Sequence, residues 1–179
     1  MTAAPDAEAT TMSLNATQNS EPRVRPAAPA DFAAVERLLT ASGLPLDGVQ
    51  EALSSFVVAE VGDDVVGVAG LEVCCDNALL RSVAVSPAWR SHGLGRALVT
   101  RVISDAEAQG IRALYLLTTT AERYFPSFGF RQITREEVPT DVRETAEFHS
   151  ACPASAVVMC RECAATRSYT QGVVSGTGE

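Results

Sequence analysis

Two hydrophobic periods alternate along this chain. Alternating or continuous apolar runs at 24–25, 56–61, 65–73 and 78–85 predict four strands. The segment 26–29, bounded by Pro26 and Pro29, interrupts the first strand, and Asp31 is placed to cap a helix. Phe32, Val35, Leu38 and Leu39 then recur at helical spacing until Gly43. A second short helix is predicted over 46–53. Gly62-Asp63-Asp64 joins the second strand to the third, and Asp76-Asn77 joins the third to the fourth, so these strands should run antiparallel.

After Ser86-Pro87 the period lengthens. Leu94, Ala97, Leu98, Val102 and Ala106 share one helical face, and Gly110 ends it. The unbroken apolar run 111–117 predicts a buried strand parallel to the fourth. A short helix follows over 121–128, with Pro126 awkward inside it. Strands at 130–133 and 156–163 complete the pattern. The expected fold class is α/β: a mixed central sheet of six or seven strands with helices on both faces. Residues 1–21 and 164–179 lack large apolar runs and are expected to be a disordered leader and tail around one domain, 22–163.

Composition narrows the chemistry. The 179 residues are 46% hydrophobic and 20% charged, as in a soluble globule, and the net charge is −8. That balance argues against nucleic-acid partners and polybasic membrane binding. All 14 basic residues are arginines, which excludes a P-loop lysine and any Schiff-base chemistry. Neither a secretory signal nor an apolar run of ~18 residues is present, so a cytoplasmic location is expected. Cys74, Cys75, Cys152, Cys160 and Cys163 are then reduced thiols. Cys160 and Cys163 lie on a predicted strand, where positions i and i+3 face opposite sides, so no metal site is expected.

The charge is unevenly spread. Residues 77–104 hold Arg81, Arg90, Arg96 and Arg101 and no acid at all. Within them, Arg90-Ser91-His92-Gly93-Leu94-Gly95-Arg96-Ala97 joins the fourth strand to the long helix. Glycines there let backbone approach a ligand, and the helix start offers unpaired N–H groups, a combination suited to phosphate. A dinucleotide fingerprint does not fit. Its third glycine position is Leu98, seven residues separate the strand from Gly93, and the next strand ends in Thr118-Thr119-Thr120 without an acid.

The strand ending Val83-Ala84-Val85-x-Pro87, then Arg90-x-x-Gly93-x-Gly95, a helix, Ala121 and Phe125-x-x-x-Gly129-Phe130 resemble the GNAT acetyltransferase superfamily. The resemblance covers about residues 22–163. It implies a GNAT fold whose fourth and fifth strands splay apart to admit acetyl-CoA as cosubstrate. It also implies coenzyme contacts from Val83, Val85, Arg90, Ser91, His92, Gly93, Leu94, Gly95 and Arg96. Three further segments are 78–85, 115–121 and Glu147-Phe148…Cys152-Pro153-x-Ser155-Ala156…Met159. They resemble the arsenic-resistance-associated N-acetyltransferases and the short GNAT-type glutamate N-acetyltransferases of arginine biosynthesis. The implied acceptor is the α-amino group of a small glutamate-like molecule or an arsenic or phosphorus analogue such as arsinothricin. The alternatives are N-acetylglutamate synthesis and acetylation of a protein lysine or N-terminus. A module that binds coenzyme A without catalysis is a third class. Homodimers are frequent in the superfamily.

Direct acyl transfer needs a neutral amine and a proton for the leaving thiolate. Glu72, mid-strand among apolar residues, is the candidate base, or else a solvent-facing strand residue. The family's general-acid tyrosine position, five before the Phe of the Gly-Phe pair, is Phe125 here, and the neighbouring Tyr124 is the substitute candidate. Arg81 could clamp a substrate carboxylate or pair structurally with Asp76 or Glu72. Thr118 and Thr119 could touch substrate, or with Thr120 cap the next turn. Cys152, near His149, is assigned to packing or the substrate pocket rather than to nucleophilic catalysis.

Overall fold

The computed structural model describes residues 21–151 and 153–163. The expected leader and tail, and Cys152, lie outside the described residues. Seven strands form one sheet: β1 Arg23–Pro26, β2 Phe56–Val61, β3 Asp64–Cys74, β4 Asn77–Val85, β5 Ala113–Thr118, β6 Arg131–Ile133 and β7 Val157–Glu162. Their order is β1-β2-β3-β4-β5-β7-β6. Only β4 and β5 pair in parallel, joined through the helix α3, Leu94–Ala108, and every other pairing is antiparallel. The predicted α/β sheet with helices on both faces is the observed one.

The amphipathic stripe of α3 explains one face. Leu94, Leu98, Val102 and Ala106 are buried against Ala69, Leu71, Leu80, Leu114 and Leu116 of the sheet. Alternation along the strands sends their neighbours to the other face, where two separate clusters form. In one, Val35 and Leu39 of α1 (Phe32–Ala41) pack on Phe56, Val58 and Val68. In the other, Val142 of α4 (Thr140–Arg143) and Phe148 pack on Leu79, Tyr115 and Val158. The largest fully buried side chain is Arg81, 2% exposed.

Pairing of β4 with β5 is brief. It covers Asn77↔Ala113, Ala78↔Leu114 and Leu79↔Tyr115 and then stops, leaving the rest of the two strands as a fork. A bulge in β4 explains the divergence. The β3–β4 register shifts between Val68↔Ala84 and Gly70↔Arg81, and Ser82 holds φ +57°. Bulges bend the strand that carries them.

Three local expectations need correction. Asp31 does not cap α1 with its side chain; it accepts from the Ala28 N–H (2.7 Å) and binds Arg25 through both oxygens (2.7 and 2.9 Å). The Arg25 guanidinium thereby holds the Asp31 carboxyl below the usual carboxylate range. The helix predicted over 46–53 is one turn, α2 (Val49–Ala52), followed by a 3-10 turn, Leu53–Ser55. The helix predicted over 121–128 is only the 3-10 turn Phe125–Phe128, with Pro126 in its first turn, where no intrahelical donor is required. Among the elements that the pattern did not announce are the one-turn helix α4 and a π-turn over Glu147–Ala151.

Candidate active site

The loop after β4 sets the geometry. Ser91 at φ +65° and Gly93 at φ +77° are both left-handed, which brings the backbone round to start α3 at Leu94. Nothing lies within 4 Å of where a Gly93 Cβ would stand, so conformation rather than crowding asks for glycine there. The N-terminal N–H groups of α3 open on a cavity of about 340 Å³ lined by Val85, Trp89, Arg90, Ser91, Gly93, Leu94, Gly95, Arg96 and Tyr124. Arg90 donates from Nε to the Val85 carbonyl (3.1 Å), which ties the loop to the strand end. Arg96 lies over the Phe128 ring at 5.0 Å and reaches Ser127 Oγ at 3.4 Å. His92 is exposed; its Nδ1 is 2.7 Å from the Arg90 carbonyl, and its ring turns back on Trp89. It is not among the lining residues.

A second cavity, about 270 Å³, fills the fork. It shares Val85, Gly95 and Tyr124 with the first, so the two adjoin. Its walls come from both faces of the sheet. Leu80, Leu116 and Phe125 belong to the α3 side, whereas Arg81, Leu117, Glu147 and Leu44 belong to the other. The expected residues Arg81, Val83, Val85, Gly95, Thr118 and Tyr124 all line it. Thr118 Oγ1 also accepts from the Ala121 N–H (2.9 Å), the capping role weighed for it. Thr119 is exposed and off the lining, and Thr120 stands there instead.

Tyr124 and Phe125 divide the work of one position. Phe125 is buried in the core beside Phe130. Tyr124 points the other way, 38% exposed, with its hydroxyl over Gly95 where the two cavities meet. Burial pushes its phenol above the ordinary value of 10, Arg96 offsetting part of the effect, so it carries its proton at neutral pH.

Glu72 does not line the fork. It is 23% exposed and binds Arg81 Nη1 at 2.6 Å, the structural pair that the sequence allowed for. Glu147, 8% exposed, meets Arg81 Nε at 2.7 Å and does line the fork. Sequence reasoning gave Glu147 no catalytic or binding role; its one signal was its place beside Phe148 in the segment that carries the subfamily resemblance. Ser82 and Leu44 were also missed, because a left-handed serine and a loop leucine carry no motif.

Of the described cysteines, Cys74, Cys75, Cys160 and Cys163 line neither of these cavities. Cys74 is pushed up to about 11 by burial, and Cys160 and Cys163 are raised for the same reason, so all three are thiols at neutral pH. Among the described residues no cluster of His, Cys, Asp and Glu is placed to hold a metal, and no helix is long and apolar enough to cross a membrane. A further cavity, about 680 Å³, lies at the other end of β4 and β5, near Asn77, Ala113 and Cys160. It has neither the glycine loop nor the fork.

Residues 52–132 match the family model of the acetyltransferase (GNAT) domain. An amino-acid acetyltransferase of Mycobacterium tuberculosis is 33% identical over 135 residues, covering 70% of this chain and 77% of that protein. A [ribosomal protein bS18]-alanine N-acetyltransferase of Haemophilus ducreyi is 33% identical over 92 residues, or 47% of this chain and 63% of that one. Among solved structures, N-acetylglutamate synthase from Neisseria gonorrhoeae, complexed with coenzyme A and N-acetyl-glutamate, superposes with a TM-score of 0.70 at 22% identity. That match covers 82% of this chain and 36% of the synthase. The chain thus spans less than two thirds of the Haemophilus protein and about a third of the Neisseria one.

Proposed function

The chain belongs to the GNAT acetyltransferase family, and on that premise we propose that it moves the acetyl group of acetyl-CoA directly to the α-amino group of a small amino-acid-like acceptor. The observation that carries the reading is that the two cavities adjoin, sharing Val85, Gly95 and Tyr124. The glycine loop and the N-terminus of α3 offer backbone donors and a positive dipole end to the pyrophosphate, with Arg90 and Arg96 beside them. The fork then leads the pantetheine arm past Val83 and Val85 to the bulge at Ser82. The catalytic unit is placed within residues 22–163.

In the reaction the neutral amine nitrogen attacks the thioester carbonyl, a C–N bond forms, and the C–S bond breaks to release the thiolate. Tyr124 supplies the proton that the thiolate takes up, and the proton lost by the amine leaves to solvent or to a carboxylate at the site. Its raised pKa keeps Tyr124 in the form that donates.

The amino-acid acceptor is favoured by the Mycobacterium relative, which this chain covers over most of its length. The glutamate-like class includes N-acetylglutamate synthesis and the arsenic and phosphorus analogues. A protein N-terminus is the second reading, favoured by the alanine N-acetyltransferase relative. Thiol release from acetyl-CoA, followed across glutamate, glutamine, arsinothricin, phosphinothricin and alanine-initiated peptides, tests both. Release with a free amino acid above every peptide supports the first reading. The reverse order supports the second, and silence across the panel overturns the transferase.

A further inference from the structure

We infer, resting on the reading that the acceptor carries a primary amine, that Glu147 receives the acceptor's ammonium group, and that Arg81 is a positioning residue rather than a clamp for an acceptor carboxylate.

Arg81 is enclosed by protein oxygens, with Nε and Glu147 Oε2 meeting as an ion pair rather than in hydrogen-bond geometry. Its side chain is 0% exposed, and its three nitrogens point to three different elements. Nη1 meets Glu72 on β3 (2.6 Å), Nε meets Glu147 in the π-turn (2.7 Å), and Nη2 donates to the Asp47 carbonyl (2.5 Å) in the loop before α2. A carboxylate clamp needs two parallel donors on one edge of the guanidinium. Here each edge already serves the protein. The arrangement instead ties the α1–α2 connection and the π-turn to the sheet, and these two segments supply Leu44 and Glu147 to the fork.

The charge count points the same way. Among the described residues two carboxylates converge on one guanidinium, an excess of one negative charge where the dielectric is low and charges are felt strongly. Such a site favours a cation and opposes a second carboxylate. Glu147 lines the cavity, whereas Glu72 does not. The neighbouring walls, Leu44 and Leu117, are apolar and do not screen the charge. The amine would therefore enter from the α1 face and dock on Glu147, with its nitrogen toward the fork. The acceptor's carboxylate, if it has one, is held elsewhere.

Two isosteres of alanine separate the charges: L-alaninamide has the ammonium and no carboxylate, and L-lactate has the carboxylate and no ammonium. The full chain, saturated with coenzyme A, is titrated with each by calorimetry. Alaninamide is expected to bind at least ten-fold more tightly than lactate. Glu147→Gln is expected to weaken alaninamide at least ten-fold while coenzyme affinity stays within two-fold. Lactate binding as tightly as alaninamide, no binding of alaninamide, or an unchanged affinity in Glu147→Gln overturns the inference. Should that variant not fold, Glu72→Gln also removes the net negative charge and should weaken alaninamide about three-fold; no change overturns the inference equally. The readout is binding, so it stands apart from the transferase reading. A chain that binds alaninamide but transfers no acetyl group refutes that reading alone, and one that acetylates acceptors yet prefers lactate refutes only this inference.

Discussion

The hydroxyl of Tyr124 stands 3.2 Å from the point where a Cβ on Gly95 would lie. The side chain that closes the junction of the two cavities is thus packed against the first turn of α3, and the absence of a side chain at Gly95 makes room for it. Replacing Gly95 by Ala separates stability from function. Alanine favours the helix by roughly 0.5–1 kcal/mol over glycine. The new methyl must displace the phenol or the bound coenzyme. The expected outcome is a melting temperature that is unchanged or raised, with coenzyme A affinity at least ten-fold weaker by calorimetry.

Tyr124→Phe keeps the ring and loses the donor. Turnover should fall by roughly ten- to a hundred-fold, at the low end of general acid effects because a thiolate is a good leaving group. The KM for acetyl-CoA should hold. The direction of the pKa shift fixes the pH behaviour. A raised phenol keeps its proton through neutrality, so any loss of rate from its ionisation falls above pH 10. A wild-type profile in which Tyr124 ionises below pH 9 would remove it as the acid.

Arg81→Ala leaves Glu72 and Glu147 facing each other without the guanidinium between them. Breaking a buried ion pair from one side costs about 3–5 kcal/mol. Urea denaturation should show a loss of that order, with acceptor turnover lost alongside it. Wild-type stability in this variant would mean that Arg81 does not tie the two walls together.

Acid should also act at the other edge of the sheet. Asp31 is held below its ordinary value of 3.8 by Arg25. A depressed folded pKa gives stability that is present above the unfolded value and is lost as pH falls through the folded one. Asp31→Asn should therefore be less stable than the wild type at pH 7. The gap should narrow below pH 3.8, as seen in denaturant midpoints across pH 2–7.

The sheet was readable because its strands are near-continuous apolar runs and its turns carry their own residues. Gly62-Asp63 and the glycine loop each declare a change of direction. The loop proposed to hold the coenzyme was readable for the same reason, since Gly93 is a backbone requirement written as a residue type. The acceptor side was not. Arg81 and Glu72 were visible as charges, but their pairing depends on which strand residues stand opposite one another. Glu147 reaches them from 66 positions beyond Arg81 in the chain, through a π-turn that no period announces. Asp31 shows the same limit on a smaller scale: its residue type suits a cap, and an arginine six positions away took the carboxylate instead.

The early end of β4–β5 pairing bears on kinetics. A slot walled from both faces of the sheet lets two reactants enter from opposite sides without sharing a doorway. Neither must leave for the other to arrive, and no acetylated protein needs to accumulate between them. Initial rates measured against both reactants should then give intersecting rather than parallel double-reciprocal lines, the mark of a ternary complex in which order of addition is a matter of affinity and not of obstruction.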